Sequence, residues 1–220
     1  MSHKDTNSTY FYSEKEERLN VLSHWYGFLC SAICFPFLIV KSVSTGDPIY
    51  IFSLTIFGIT LMLMFITSTM YHRSIDPKER TRYRILDMFA IYTMIAGSYT
   101  PYALVLLQGQ RGWILFGLIW SIALLGILWK SFTLGKYNIS STFLYVAMGA
   151  TCLFYTEDLI RLLPYDGLVW LAVGCISYLI GVFFYLMDNR IAYNHFIWHL
   201  FVIAGSFSHF ISIFFYVIPS

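Results

Sequence analysis

The chain has 220 residues, 58% of them hydrophobic and only 12% charged, with a mean hydropathy of +0.65. A soluble domain of this size does not carry that balance, so the composition alone predicts an integral membrane protein in contact with lipid. The net charge of +2 offers no case for nucleic acid, and no soluble partner is implied.

From the N-terminus, residues 1 to 19 form a polar, charged segment with no apolar stretch of its own, so no signal peptide is expected and the first span targets the chain. Residues 20 to 220 then form the transmembrane domain. A spanning helix needs about 20 mostly apolar residues, and such windows fall at 20 to 41, 49 to 71, 85 to 107, 112 to 130, 139 to 157, 167 to 187 and 194 to 217. Turn chemistry separates them: Thr45-Gly46-Asp47-Pro48, Asp76-Pro77, Gln108 to Gly112, Gly135, Pro164 to Gly167 and Asp188 to Arg190. The apolar runs are continuous rather than alternating, which excludes barrel strands. The expected fold is therefore all-α, with seven transmembrane helices and no internal repeat.

Seven spans put the termini on opposite faces. Eleven Lys and Arg fall on the face of the N-terminus and the even loops, against three (Lys41, Arg111 and Arg161) on the other. The positive-inside rule then predicts a cytoplasmic N-terminus and an outer C-terminus, the reverse of a G-protein-coupled receptor. The four cysteines, Cys30, Cys34, Cys152 and Cys175, lie inside apolar runs and read as small buried apolar residues. Glu157, Asp158 and Arg161 read as a solvated lip at the outer end of the fifth span.

Ionisable side chains in or beside spans mark function by default, and here they converge on one depth. Ser68 and His72 close the second span on one helix face, Asp87 opens the third, and His195 and His199, again one turn apart, open the seventh. His24 shares that depth, whereas His209 lies about 15 Å further along the last helix than His199. An HxxxH pair alone is weak evidence, and an interfacial histidine is usually only a polar side chain. The convergence makes the case: His72, His195 and His199 offer three nitrogen ligands with a fourth position open, for which zinc is the first choice. Asp87 is either a further ligand or the group that holds a metal-bound water. Ser68 has a plain alternative as a helix-packing residue.

These same stretches carry a resemblance. Glu17 to His24 before the first span, Ser68-Thr69-Met70-Tyr71-His72, Asp87, Ala96 to Pro101, and His195 to His199 with His209 together resemble the hemolysin III branch of the progestin and adipoQ receptor superfamily. The resemblance implies zinc held by His72, His195 and His199, a water linked to Asp87, and membrane hydrolysis of lipid amides, with Ser68 in the shared motif. This chain lacks the long cytoplasmic extension of the hormone-receptor branch, which favours the short, mainly bacterial branch and a bacterial inner membrane. Three functions compete: a zinc-dependent hydrolase of lipid amides or esters, a hemolysin-like membrane-perturbing protein, and a receptor or regulator with structural zinc. A pore is disfavoured because the outer halves of the helices read as almost wholly apolar.

Overall fold

A computed structural model of the chain describes residues 12–133, 138–187 and 192–219. Seven helices in it are long and apolar enough to cross a membrane. They are α1 (Glu14–Ser44), α2 (Pro48–Arg73), α3 (Pro77–Leu107), α4 (Gly109–Phe132), α5 (Ile139–Leu162), α6 (Tyr165–Leu186) and α7 (Asn194–Val217).

Local chemistry starts these helices where the sequence predicts. The side chain of Asp47 accepts the Ile49 N–H at 2.8 Å, and that of Asp76 accepts the N–H groups of Lys78 and Glu79 at 3.0 and 2.9 Å. Each is an N-cap followed by proline at the first helical position, where a missing N–H costs nothing. At α1 the cap is Ser13, which accepts from Glu16, and Glu14, Glu16 and Glu17 fill a first turn whose dipole favours negative charge. That helix therefore begins ahead of the apolar window and carries three carboxylates with it.

The helices are not uniform. The third span ends in a π-helical segment, Tyr102–Leu107, the fifth contains a 3-10 segment, Thr151–Tyr155, and the seventh ends in a second π segment, Ile213–Val217. Such irregularities in a membrane helix survive only where neighbouring protein satisfies the backbone.

Burial ranks the spans. Two thirds (67%) of the apolar stretch of α3 is buried, against 44% for α2 and α7 and 22% for α1, α5 and α6. The centre of the bundle is thus α3 with α2 and α7, and the core joins them through Leu54, Phe57, Leu61, Met64, Ala90, Met94 and Val202. At Gly97 the helices α2 and α3 come so close that a β-carbon would sit 2.0 Å from Thr60 Oγ1. The outward faces stay apolar, with Val40, Leu125, Phe143 and Phe183 all more than half exposed. A surface of that kind suits lipid and not water.

The interior is more polar toward the far ends of the helices than the apolar reading of their outer halves implies. Tyr178 Oη pairs with Ser206 Oγ at 3.0 Å, the Ser212 hydroxyl donates to the Gly167 carbonyl at 2.9 Å, and the Lys41 ammonium donates to the Phe214 carbonyl at 2.6 Å. These contacts tie α1, α6 and α7 together by satisfied polar pairs. The expected solvated lip is also different in structure: Glu157 and Arg161 are exposed, but Asp158 is buried. Arg111 and Arg161 clasp its two oxygens at 2.8 and 2.9 Å, so Asp158 fastens the start of α4 to the end of α5. A run of charged residues reads as surface because nothing local reports that an arginine from another helix closes over it.

Candidate metal centre

The three histidines meet as the spacing predicts. His72, at the end of α2, and His195 and His199, on the first turns of α7, are all buried. Each offers a ring nitrogen within 4.8 Å of those of the other two. Nitrogens around a tetrahedral zinc are about 3.3 Å apart, given Zn–N bonds near 2.0 to 2.1 Å. The Nε2 atoms of His72 and His195 are already 3.1 Å apart.

The outer nitrogens are all engaged. His72 Nδ1 lies 2.8 Å from Glu17 Oε2, His195 Nδ1 lies 2.8 Å from Tyr12 Oη, and His199 Nδ1 lies 3.1 Å from Ser23 Oγ. Two of these pairs determine where the proton sits. A carboxylate only accepts, and Glu17 is ion-paired with Arg80, so His72 donates from Nδ1. The single hydroxyl proton of Ser23 goes to the Asn20 carbonyl at 2.9 Å, so His199 also donates from Nδ1. Both rings then present a bare lone pair at Nε2. That of His199 is buried with no hydrogen-bond partner. A buried acceptor without a donor is costly, and a cation among the three Nε2 atoms would satisfy it. The residues present fit a metal, and the engagement of each outer nitrogen is the arrangement that metal-ligating histidines use.

Arg80 supports this shell from below. Its side chain is 1% exposed, and beyond Glu17 it donates to the carbonyls of Tyr71 and Ser74 at 3.2 and 3.3 Å. Those carbonyls belong to the open C-terminal end of α2. One guanidinium thus caps the helix that carries His72 and holds the carboxylate that orients it. The ring of Tyr71 lies 4.6 Å beneath the same guanidinium.

His24 stacks on His199 with ring centres 3.7 Å apart and planes 15° from parallel, and both of its nitrogens are buried without a partner. Its nitrogens fall outside the converging trio. Asp87 is buried and lines a cavity of about 1310 Å³ together with Tyr12, His24 and His195. The cavity is walled mainly by apolar side chains of α3, α5, α6 and α7, among them Met88, Ile91, Val146 and Val202. Ser68 is buried one turn from His72, its Oγ has no hydrogen-bond partner, and it does not line the cavity. His209 lies away from the trio, with Nε2 3.9 Å from Cys175 Sγ. The cysteines are less alike than their apolar surroundings suggest: Cys30 is exposed on the outside of the bundle, while Cys152 and Cys175 line the cavity.

Comparison with known proteins agrees with this architecture. Residues 12–210 match the family model described as haemolysin-III related. The chain belongs to that family. It is 36% identical to Hemolysin-3 of Bacillus cereus over 220 residues, which cover all of this chain and 99% of that protein. It is 37% identical to the Hemolysin-3 homolog of Bacillus subtilis (strain 168) over 204 residues, 93% of this chain and 95% of that one. A more distant relative is the monocyte to macrophage differentiation factor of Homo sapiens, 31% identical over 170 residues, 75% of this chain and 70% of that one. The matched region of this haemolysin-III related protein takes in Tyr12, Glu17, Ser23 and all three converging histidines.

Tyr12, Glu17, Ser23 and Arg80, which contact the trio or its partners, are not among the site residues expected from the sequence. Glu17 and Ser23 stand in the stretch that carries the family resemblance, so a signal existed for them. Nothing in the sequence ties Tyr12 or Arg80 to a histidine many residues away.

Proposed function

We propose that this haemolysin-III related protein is a zinc-dependent membrane hydrolase that cleaves an amide or ester bond of a lipid. The observation that carries the reading is the buried trio His72, His195 and His199, with outer nitrogens engaged and inner nitrogens converging, and with His195 lining a large apolar cavity. Three neutral imidazoles with a carboxylate nearby suit zinc among the common divalent ions. Zinc held there supplies Lewis-acid chemistry: it polarises a carbonyl oxygen and makes water a nucleophile near neutral pH.

The chain's own residues do the rest. Glu17, Tyr12 and Ser23 hold the imidazole rings in place, so little reorganisation accompanies the reaction. Asp87, which lines the same cavity as His195, takes a proton from the attacking water and returns it to the leaving amine or alcohol. The hydroxyl of Ser68 does not line the cavity, but it is buried without a partner one turn from His72, and it is the donor proposed for the oxyanion once the scissile carbonyl is drawn to the trio. Apolar walls accept the acyl chain and exclude bulk water. The excess of Lys and Arg on the N-terminal face supports a site at the cytoplasmic leaflet, and the Bacillus relatives support residence in a bacterial plasma membrane.

The test is turnover of ceramides, acyl amides and phospholipid esters by purified, zinc-loaded protein. Asp87→Asn should retain zinc and lose nearly all hydrolysis, and Ser68→Ala should lose about 100 to 1000-fold. Zinc-loaded protein that cleaves none of these lipids would leave a receptor or regulator with structural zinc as the better reading.

A further inference from the structure

Arg84, near the start of α3, is a cation at the cavity wall that the proposed hydrolysis does not use. It is half-buried and lines the same cavity as Asp87 and His195. It makes no ion pair among the described residues, and its Nε is buried without a hydrogen-bond partner. Arg80, one turn earlier, is committed to Glu17 and to the open end of α2. Asp87, three residues further on, does not pair with Arg84 either. A guanidinium drawn into a cavity between spans and left without a counter-ion is costly, and such residues mark ligand sites by default.

Two contacts set the register of α3 against α5, which run in the same direction. Tyr145 Oη donates to the Met88 carbonyl at 3.1 Å, and further along Tyr99 Oη donates to the Gly149 carbonyl at 2.6 Å. Arg84 and Ser141 lie one turn back from Met88 and Tyr145, so the start of α5 reaches the level of Arg84. Ser140, Ser141 and Thr142 there line the cavity as well, and the backbone N–H groups of that first turn form the positive end of the helix. Deeper in, the lining turns mainly apolar, with Met88, Ile91, Ile95, Val146 and Leu179. The cavity thus has a cationic, hydroxyl-bearing end and a long apolar body, the shape and chemistry of an amphiphile with an anionic head.

We propose that Arg84 is the recognition site for the phosphate of an anionic lipid whose chains occupy the apolar body of the cavity. The planar guanidinium fork matches two phosphate oxygens, and basic pockets between membrane helices are a common way to hold such headgroups. One consequence rests on the hydrolase reading given above. Arg84 and Asp87 are about 4.5 Å apart along the helix axis, so a lipid held at Arg84 brings bonds close to its phosphate to Asp87 and the trio. The substrate is then a phosphate-bearing lipid ester or amide, and neutral ceramide is a poor one.

The experiment titrates purified, zinc-loaded full-length protein in neutral detergent with dioctanoyl phosphatidic acid, the matching dioctanoyl glycerol and inorganic phosphate, by calorimetry. Phosphatidic acid should bind about 10 to 100-fold tighter than the uncharged glyceride, the scale of hydrogen bonds to a charged group, and inorganic phosphate should not displace it at equal concentration. Arg84→Gln should abolish that difference while leaving glyceride affinity and zinc content unchanged, and Arg84→Lys, which keeps the charge without the fork, should fall between. Arg82→Gln, at an exposed position outside the cavity lining, should change nothing. Equal affinity for the two lipids in the unmodified protein overturns the proposal and needs no variant to fold. Equal losses in Arg82→Gln and Arg84→Gln overturn it in favour of the general field of that face, and inorganic phosphate binding as tightly as phosphatidic acid overturns it in favour of a free anion. Turnover measured on the same samples separates the two readings: binding that depends on Arg84 without any hydrolysis supports the headgroup site and removes only the hydrolase, whereas hydrolysis with no preference for the phosphate removes only the headgroup site.

Discussion

The carboxylate of Glu17 is the most informative single group to change, because its two oxygens serve two different partners. Oε1 is ion-paired with Arg80 and Oε2 accepts from His72 Nδ1 at 2.8 Å. Glu17→Gln keeps the shape and leaves one acceptor. Arginine is always charged and only donates, so the remaining carbonyl oxygen turns to Arg80 and the amide NH2 faces His72. That imidazole must then accept at Nδ1 and carry its proton on Nε2, where the metal would bind. Replacing a group that orients a ligand costs about 10 to 100-fold in metal affinity, and a forced change of tautomer belongs at the upper end. The expected loss is roughly 100-fold, or about 2.7 kcal/mol. Ser23→Ala removes only a neutral acceptor from His199 and should cost about 10-fold. Competition between the purified variants and a chromophoric zinc chelator measures both. Folded Glu17→Gln protein with undiminished zinc affinity would refute the assigned tautomers and the shell built on them.

Further outcomes follow from the same geometry. His72, His195 and His199 replaced singly by Ala should each lose most of the bound zinc and lower the unfolding temperature, because metal binding adds to folding free energy; zinc retained at full stoichiometry in the triple variant contradicts the site, and His209→Ala should leave metal content unchanged. Protons compete with metal for the same lone pairs, so zinc affinity should fall as acid protonates the three imidazoles; affinity that does not change on acidification would mean the histidines do not ligate. Reporter fusions should place Met1 in the cytoplasm and Ser220 outside, and a C-terminal reporter active only in the cytoplasm would reverse the proposed orientation.

The seven spans could be read from the sequence because apolar windows of the required length are separated by Asp-Pro, Gly and charged breaks, and each Asp-Pro became an N-cap with proline at the first helical position. The trio was legible for a related reason. Two histidines one turn apart share a helix face, and the alternation of seven spans brings the end of α2 and the start of α7 to one membrane face. What the sequence hid depends on tertiary approach. Glu17 lies before the apolar window and acquires its role only because α1 starts early and packs beside α2. Arg80 reads as one of several loop cations until the chain folds it under the end of α2, 1% exposed.

Charge balance connects these groups. Three imidazoles are neutral when they ligate, so zinc among them would place two positive charges in a buried site. Glu17 is the nearest carboxylate by contact, but its charge is already matched by Arg80, and the pair together contributes nothing net. Asp87 is buried at the cavity wall and makes no ion pair among the described residues. An unpaired buried carboxylate is expensive, and a cation held by the histidine trio would offset that cost. On the proposed function the two carboxylates have separate work: Glu17 orients a ligand, and Asp87 carries a proton. Their variants should therefore differ in kind, with Glu17→Gln losing zinc and Asp87→Asn keeping zinc while losing turnover.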